Sequence, residues 1–167
     1  MIDRLVQEIN TALDNGCYLV ALSSALTLPD ICGKVEYPDE SSRSRYKKWY
    51  SEHIGQFEKP PTDEENIKDF GYDMPYPTAN VVYDLRNSLL HSGNPNLEEE
   101  KKNITSFRLI ITKDYSIGGM SSLGEGTREL DIAIRNLCFK LCAVAQRFYH
   151  ENKEKFHFDY SIIEWDI

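Results

Sequence analysis

The sequence predicts a mainly α-helical fold, an up-and-down helical bundle with a small β-hairpin insertion before the last long helix. Three observations carry that prediction. Apolar residues recur at three- and four-residue spacing along most of the 167 residues, and capping and stopping residues punctuate those stretches. One segment, ITSFRLIITKDYSIGG, alternates instead. With 41% apolar and 28% charged residues, the chain reads as one globular domain over 1–167. The insertion falls at about 103–119 and a C-terminal tail at about 154–167.

Each element has its own justification. In MIDRLVQEINTALD, Ile2, Leu5, Val6, Ile9 and Leu13 form one stripe, and Asn15-Gly16 supplies a left-handed stop. This start is amphipathic and acidic, so it does not read as a signal peptide. CYLVALSSALTLPDIC is apolar on nearly every face, as a central helix packed on several sides would be, and Gly33 and Pro38 close the region. Ser41 or Ser42 caps a third helix with the stripe Tyr46, Trp49, Tyr50 and Ile54. EKPPTDEENIKDFGYDMPYP is a connector, with Thr62 and Glu65 at capping-box spacing. Thr78 caps the fourth helix, whose Val81, Val82, Leu85 and Leu89 face inward, and LEEEKK reads as a solvated helical turn.

After it, Phe107, Leu109 and Ile111 alternate, and a turn at Lys113-Asp114 closes a two-stranded hairpin. GGMSSLGEG is a flexible linker. Its glycine spacing imitates a phosphate-binding loop, but Glu125 stands where the lysine should be, and a carboxylate there would repel phosphate. Thr127 opens the longest helix, with Leu130, Ile134, Leu137, Cys138, Leu141, Cys142, Ala145 and Phe148 on one face. FHFDYSII alternates and reads as a docking strand. No run of 18 apolar residues occurs, so no membrane partner is expected.

The charge of −8 weighs against broad nucleic-acid binding, which draws on many cationic contacts to phosphates. A local basic site remains compatible with it. The four cysteines lie in apolar segments and read as reduced thiols of a cytosolic protein. Cys138 and Cys142, one turn apart, suit core packing better than zinc, because no tight Cys or His pair supplies further ligands. No cofactor is called for. His53, His150 and His157 read as surface or capping residues, and Ser88 with His91 lacks the third group of a serine nucleophile site. RSRYKKWYSEHI interleaves Arg43, Arg45, Lys47 and Lys48 with aromatics, a mixture that single-strand binders use. Its aromatic spacing favours core packing, with the basic face left to line a groove.

The segment VVYDLRNSLLHSGNP concentrates the remaining chemistry. Arg86 and Asn87 are adjacent, Asn87 and His91 are one α-helical turn apart, and Arg86 and His91 stand about 140° apart round an ideal helix. A neutral imidazole can take a proton from a ribose 2′-hydroxyl near neutral pH, and a guanidinium can hold a phosphate and offset its growing charge. The plainer reading is that two cationic side chains meet the dipole of a helix C-terminus.

RNSLLH, within LRNSLLHSGNP and preceded by ALSSALTLPDICGK…RYKKWYSEHI, resembles the signature of the HEPN superfamily (higher eukaryotes and prokaryotes nucleotide-binding domains). That signature is an Arg, four to six residues, then a His, often with Asn straight after the Arg. The helical order extends the resemblance over most of 1–153, while the β insertion and acidic tail are not general features of the superfamily. The resemblance implies a homodimer whose motif helices meet at a cleft. It also implies metal-independent ribonuclease chemistry leaving a 2′,3′-cyclic phosphate. In that site His91 does acid–base work, Arg86 contacts phosphate, and Asn87 orients either group. Tyr83 is a fourth contributor, and Arg43 and Arg45 are weaker substrate contacts. Many members serve toxin–antitoxin or phage-defence systems, which implies a cognate antitoxin or other protein partner. Others have lost catalysis, so the second reading is an inactive dimeric module that binds RNA, nucleotides or proteins.

Overall fold

The structure, a computed structural model, describes residues 1–58, 76–92, 106–113, 120–124, 127–159, 161–163 and 165. The molecule is mainly helical. Helix α1 (Ile2–Asp14) buries Ile2, Val6, Ile9 and Leu13 and stops at Gly16, whose φ of 75° is the left-handed conformation glycine adopts most easily. The following apolar stretch is two helices rather than one: α2 (Tyr18–Ala25) and α3 (Leu28–Glu36), with Pro29 starting the second. Nor is it packed all round, since Leu19 and Val20 are 57% and 63% exposed. Gly33 lies inside α3 rather than ending it.

Gly33 is where α3 meets α4 (Ser42–Tyr50), which Ser41 caps through Ser44 N–H. A Cβ at Gly33 would stand 2.8 Å from the Arg45 carbonyl oxygen, which belongs to backbone and cannot turn aside. Gly33→Ala is therefore expected to cost about 1–3 kcal/mol, the usual effect of overpacking. Urea unfolding measures it, and a change below about 0.5 kcal/mol would contradict the close approach.

Helix α4 runs on through a π turn, Ser51–Gly55, and a last helical turn, Gln56–Glu58. Its Tyr46, Trp49 and Tyr50 are fully buried, which makes them core residues. The connector with Thr62 and Glu65, the LEEEKK run and the Lys113-Asp114 turn as a whole lie outside the described residues. Helix α5 (Ala79–Asn87) begins where the Thr78 hydroxyl accepts from Val81 N–H at 3.3 Å. Val81, Val82 and Leu85 are buried, and Leu89 packs on the core from the π turn Ser88–Ser92 that follows.

The β element differs from the expected hairpin. Strands β1 (Ser106–Ile110), β2 (Met120–Gly124) and β3 (Thr127–Ala133) form a sheet in the order β1-β3-β2. β1 lies parallel to β3, with Phe107 opposite Leu130 and Leu109 opposite Ile132. β2 lies antiparallel to β3, with Gly124 opposite Thr127. The stretch expected to be a linker thus supplies β2, and the strand pairing reaches to 133 instead of ending near 119. Thr127 opens β3, not a helix, because Leu130 and Ile132 repeat with period two and both are buried. Arg108 and Asp131, directly paired across β1 and β3, add a bidentate ion pair at 2.6 and 2.8 Å.

Helix α6 (Ile134–Glu151) follows β3 directly and is the true central helix, packed on α1, α2, α3 and the π turn of α4. Cys138 and Cys142 lie in this core, and burial pushes both thiols up to about 12. Arg135 closes the far end by donating to the Leu13 carbonyl at 2.8 Å, at the C-terminus of α1. Phe156 packs edge-on against Phe148 and Tyr149 of α6 and Phe158 stacks on Phe156, but among the described residues the tail forms no strand. Among the described residues no helix is long and apolar enough to cross a membrane.

Candidate functional site

The site is built where α5 ends against α4. Asn87 is the last α-helical residue of α5, and the backbone from Ser88 to Ser92 winds as a π-helix. A π turn closes i→i+5 hydrogen bonds instead of i→i+4, so residues five apart come closer to one face than in an α-helix. Positions 86 and 91 are five apart, Arg86 in the last α-helical turn and His91 in the π turn, so ideal α-helical winding does not describe the step between them. The His91 side chain lies outside the described residues.

Arg86 is half-buried and oriented by its neighbours. Its Nη1 donates to Asn87 Oδ1 at 2.9 Å, and its Cζ lies 5.9 Å from the centre of the Tyr83 ring. Its Nε is buried and meets no acceptor, and no carboxylate pairs with the guanidinium among the described residues. Asn87, expected to orient Arg or His, is the acceptor of this Arg86 hydrogen bond.

Tyr83 gathers the other polar groups. Beneath it the fully buried Tyr46 ring packs edge-on at 5.2 Å. Around it stand the Lys47 ammonium at 5.4 Å and the Arg43 guanidinium at 6.0 Å, both from α4. Arg45 goes elsewhere: its Nε donates to Asp30 at 2.9 Å, where the Ser42 hydroxyl also donates, so it ties α4 to α3. The reason is helical geometry, since Arg43 and Lys47 are one turn apart on one face and Arg45 lies on the opposite one. Lys47, read in the sequence only as part of the basic face of RSRYKKWYSEHI and not as a substrate contact, stands at the Tyr83 ring where Arg45 does not, and its four-residue spacing from Arg43 is the signal for that. From Lys47 an open groove of about 520 Å³ runs between α4 and the start of α5, past Ser44, Lys48, Glu52, Thr78 and Asn80.

Tyr46 Oη meets no hydrogen-bond partner either. Burial holds this hydroxyl protonated by raising its pKa well above the usual tyrosine value, although the Arg86 charge nearby pulls the other way. Removing an unsatisfied buried hydroxyl lifts a desolvation cost. Tyr46→Phe is accordingly expected to raise unfolding free energy, by about 1 kcal/mol. Chemical denaturation reads this directly, and a comparable loss would show that the hydroxyl has a bound partner.

Two of the remaining histidines make structural contacts. His53 stacks on Trp49 at 4.8 Å and pairs with Glu36 at 2.8 Å, so it is more buried than a surface residue, while His150 pairs with Asp3 at 2.8 Å. Among the described residues no group of three His, Cys, Asp or Glu side chains gathers as metal ligands.

No family model matches the chain, and comparison with curated proteins and with solved structures finds no match either.

Proposed function

We propose that this protein is a metal-independent ribonuclease of the HEPN kind, with Arg86, Asn87 and His91 at a homodimer cleft as its active site. The observation that supports this most is the state of Arg86: half-buried, held by Asn87 and Tyr83, and without a carboxylate partner among the described residues. A partly buried cation is normally paired, so one that meets no carboxylate among the described residues suits an anionic ligand. The π turn Ser88–Ser92 that carries position 91 also suits this reading, since π turns are frequent at functional sites.

In this reaction His91 takes the proton of a ribose 2′-hydroxyl, and the 2′-oxygen attacks the adjacent phosphorus. The bond from phosphorus to the 5′-oxygen breaks, and the leaving oxygen takes up a proton. The products are a 2′,3′-cyclic phosphate and a 5′-hydroxyl. Arg86 offsets the charge that grows on the phosphoryl oxygens, and Asn87 keeps its guanidinium in place. The protein would act in the cytoplasm as a toxin or phage-defence effector, held in check by a cognate antitoxin.

The test is incubation of the wild-type protein with a mixed cellular RNA pool in EDTA, followed by analysis of the product ends. New fragments ending in 2′,3′-cyclic phosphate are expected. RNA that is bound but uncut would overturn the ribonuclease reading in favour of an inactive binding module.

A further inference from the structure

We infer that Tyr83 is a further catalytic residue of the proposed reaction, whose hydroxyl gives the proton that the leaving 5′-oxygen takes up. The role rests on the ribonuclease reading, in which His91 is the base and the acid is unassigned.

In-line displacement places the attacking and the leaving oxygen on opposite sides of phosphorus. An imidazole that has just taken the 2′ proton on one side cannot also serve the other, so a second group must give a proton there. Asn87 has no acidic proton, and a guanidinium does not give its proton up. A phenol is a weak acid that is protonated at neutral pH, as a proton donor must be.

Such a phenol stands beside Arg86. Tyr83 and Arg86 are three apart on α5 and so share one face, and the Arg86 Cζ lies 5.9 Å from the centre of the Tyr83 ring. The two therefore reach one site together, whichever chain supplies His91. The Tyr83 ring packs on the core against the fully buried Tyr46, edge-on at 5.2 Å, which gives it a fixed seat. Its hydroxyl differs from that of Tyr46: it meets no hydrogen-bond partner among the described residues, yet it is not sealed in the core. A tyrosine that served packing alone would need the ring and not this hydroxyl. Loss of the proton leaves a phenolate, and the Arg86 charge at the ring favours that form. Arg43 and Lys47 also stand at the ring, but both hold further contacts, and the acid needs only Arg86.

The step balances. As the bond from phosphorus to the 5′-oxygen breaks, that oxygen keeps the electron pair and takes the proton from Tyr83 Oη. His91 then holds the 2′ proton and Tyr83 is a phenolate, and proton exchange with water returns both to their starting forms.

The experiment is single-turnover cleavage, in EDTA, of two RNAs of one sequence, one ordinary and one with sulfur in place of the 5′-oxygen at the bond being cut. A thiolate leaves without a proton, since thiols ionise at about pH 8.5, so the sulfur RNA has no need of the acid. Wild type, Tyr83→Phe and Arg86→Ala are compared, each checked by thermal unfolding. Phenylalanine keeps the ring that Tyr46 and Arg86 meet. Tyr83→Phe is expected to cut ordinary RNA about 10²- to 10³-fold more slowly than wild type, and the sulfur RNA within about 3-fold of it. Arg86→Ala should be slow on both. A Tyr83→Phe rate within about 3-fold of wild type on ordinary RNA would overturn the role. So would an equal loss on both RNAs, the mark of a residue that only shapes the site. Failure of the ribonuclease reading looks different: wild type then leaves both RNAs uncut, and the acid role falls with it.

Discussion

His91→Ala is expected to lower the rate of RNA cleavage by about 10²- to 10⁴-fold, the usual contribution of a positioned acid–base group. Arg86→Ala should lose about 10²- to 10³-fold, because it removes the charge that opposes the developing phosphoryl charge. The two losses should not multiply in the double variant, since each group is of use only when the other is in place. Arg86→Lys keeps the charge but loses the planar fork that Asn87 Oδ1 holds, so it should recover little. Single-turnover cleavage of a defined RNA, at protein concentrations where the folded fractions match, measures all four. A His91→Ala rate within a factor of two or so of wild type would remove His91 from the chemistry.

Trp49→Ala is expected to cost about 3–5 kcal/mol of folding free energy, the largest effect on stability predicted for a single residue here. Trp49 is fully buried between α4 and the rest of the core. His53 stacks on it at 4.8 Å, Phe148 of α6 meets its edge at 5.8 Å, and Gly33 of α3 gives it close backbone contact. Alanine there leaves a cavity bordered by three elements, none of which can close it alone. The same change would loosen α4, and with it Lys47 and Tyr46 beneath the Tyr83 ring. Urea unfolding of Trp49→Ala beside Trp49→Phe measures the effect. A loss below about 1 kcal/mol would contradict a central place for this side chain.

Much of the helical scaffold could be read from residue order because its signals are local. Gly16 and Thr78 mark helix ends by backbone and hydroxyl chemistry that operates within four residues. Tyr46, Trp49 and Tyr50 sit at the period of one helix face and are all in the core. The β region was harder because its pairing is not local. β1 finds its partner about twenty residues on, in β3, and pairs in parallel, which no local turn signal announces. The β3 pattern was hidden because Leu130 at the start of a long apolar run fits a helix as well as a strand.

At the candidate site, the polar residues of the motif turn were legible and their geometry was not. Val81, Val82, Leu85 and Leu89 continue a helical period without a break, so nothing in the sequence announces that the winding changes at Ser88. Arg43, Arg45, Lys47 and Lys48 read as one basic cluster, yet Arg45 is drawn to Asp30 and Lys48 to Glu40, both through the fold around α3. Lys47 and Arg43 both stand at the Tyr83 ring. Which cation belongs to a site depends on where the acidic partners fall, and only the packed structure specifies that.

The most direct test of an Arg86–His91 site shared across a homodimer is to mix two inactive proteins. Arg86→Ala and His91→Ala, each inert alone, are unfolded together, refolded and assayed on a defined RNA. If each site takes its arginine from one chain and its histidine from the other, random pairing restores about a quarter of wild-type activity, because half of the dimers then carry one intact site of two. Wild-type cleavage by either variant alone would contradict the site itself, and a mixture as inert as its components would contradict the shared cleft.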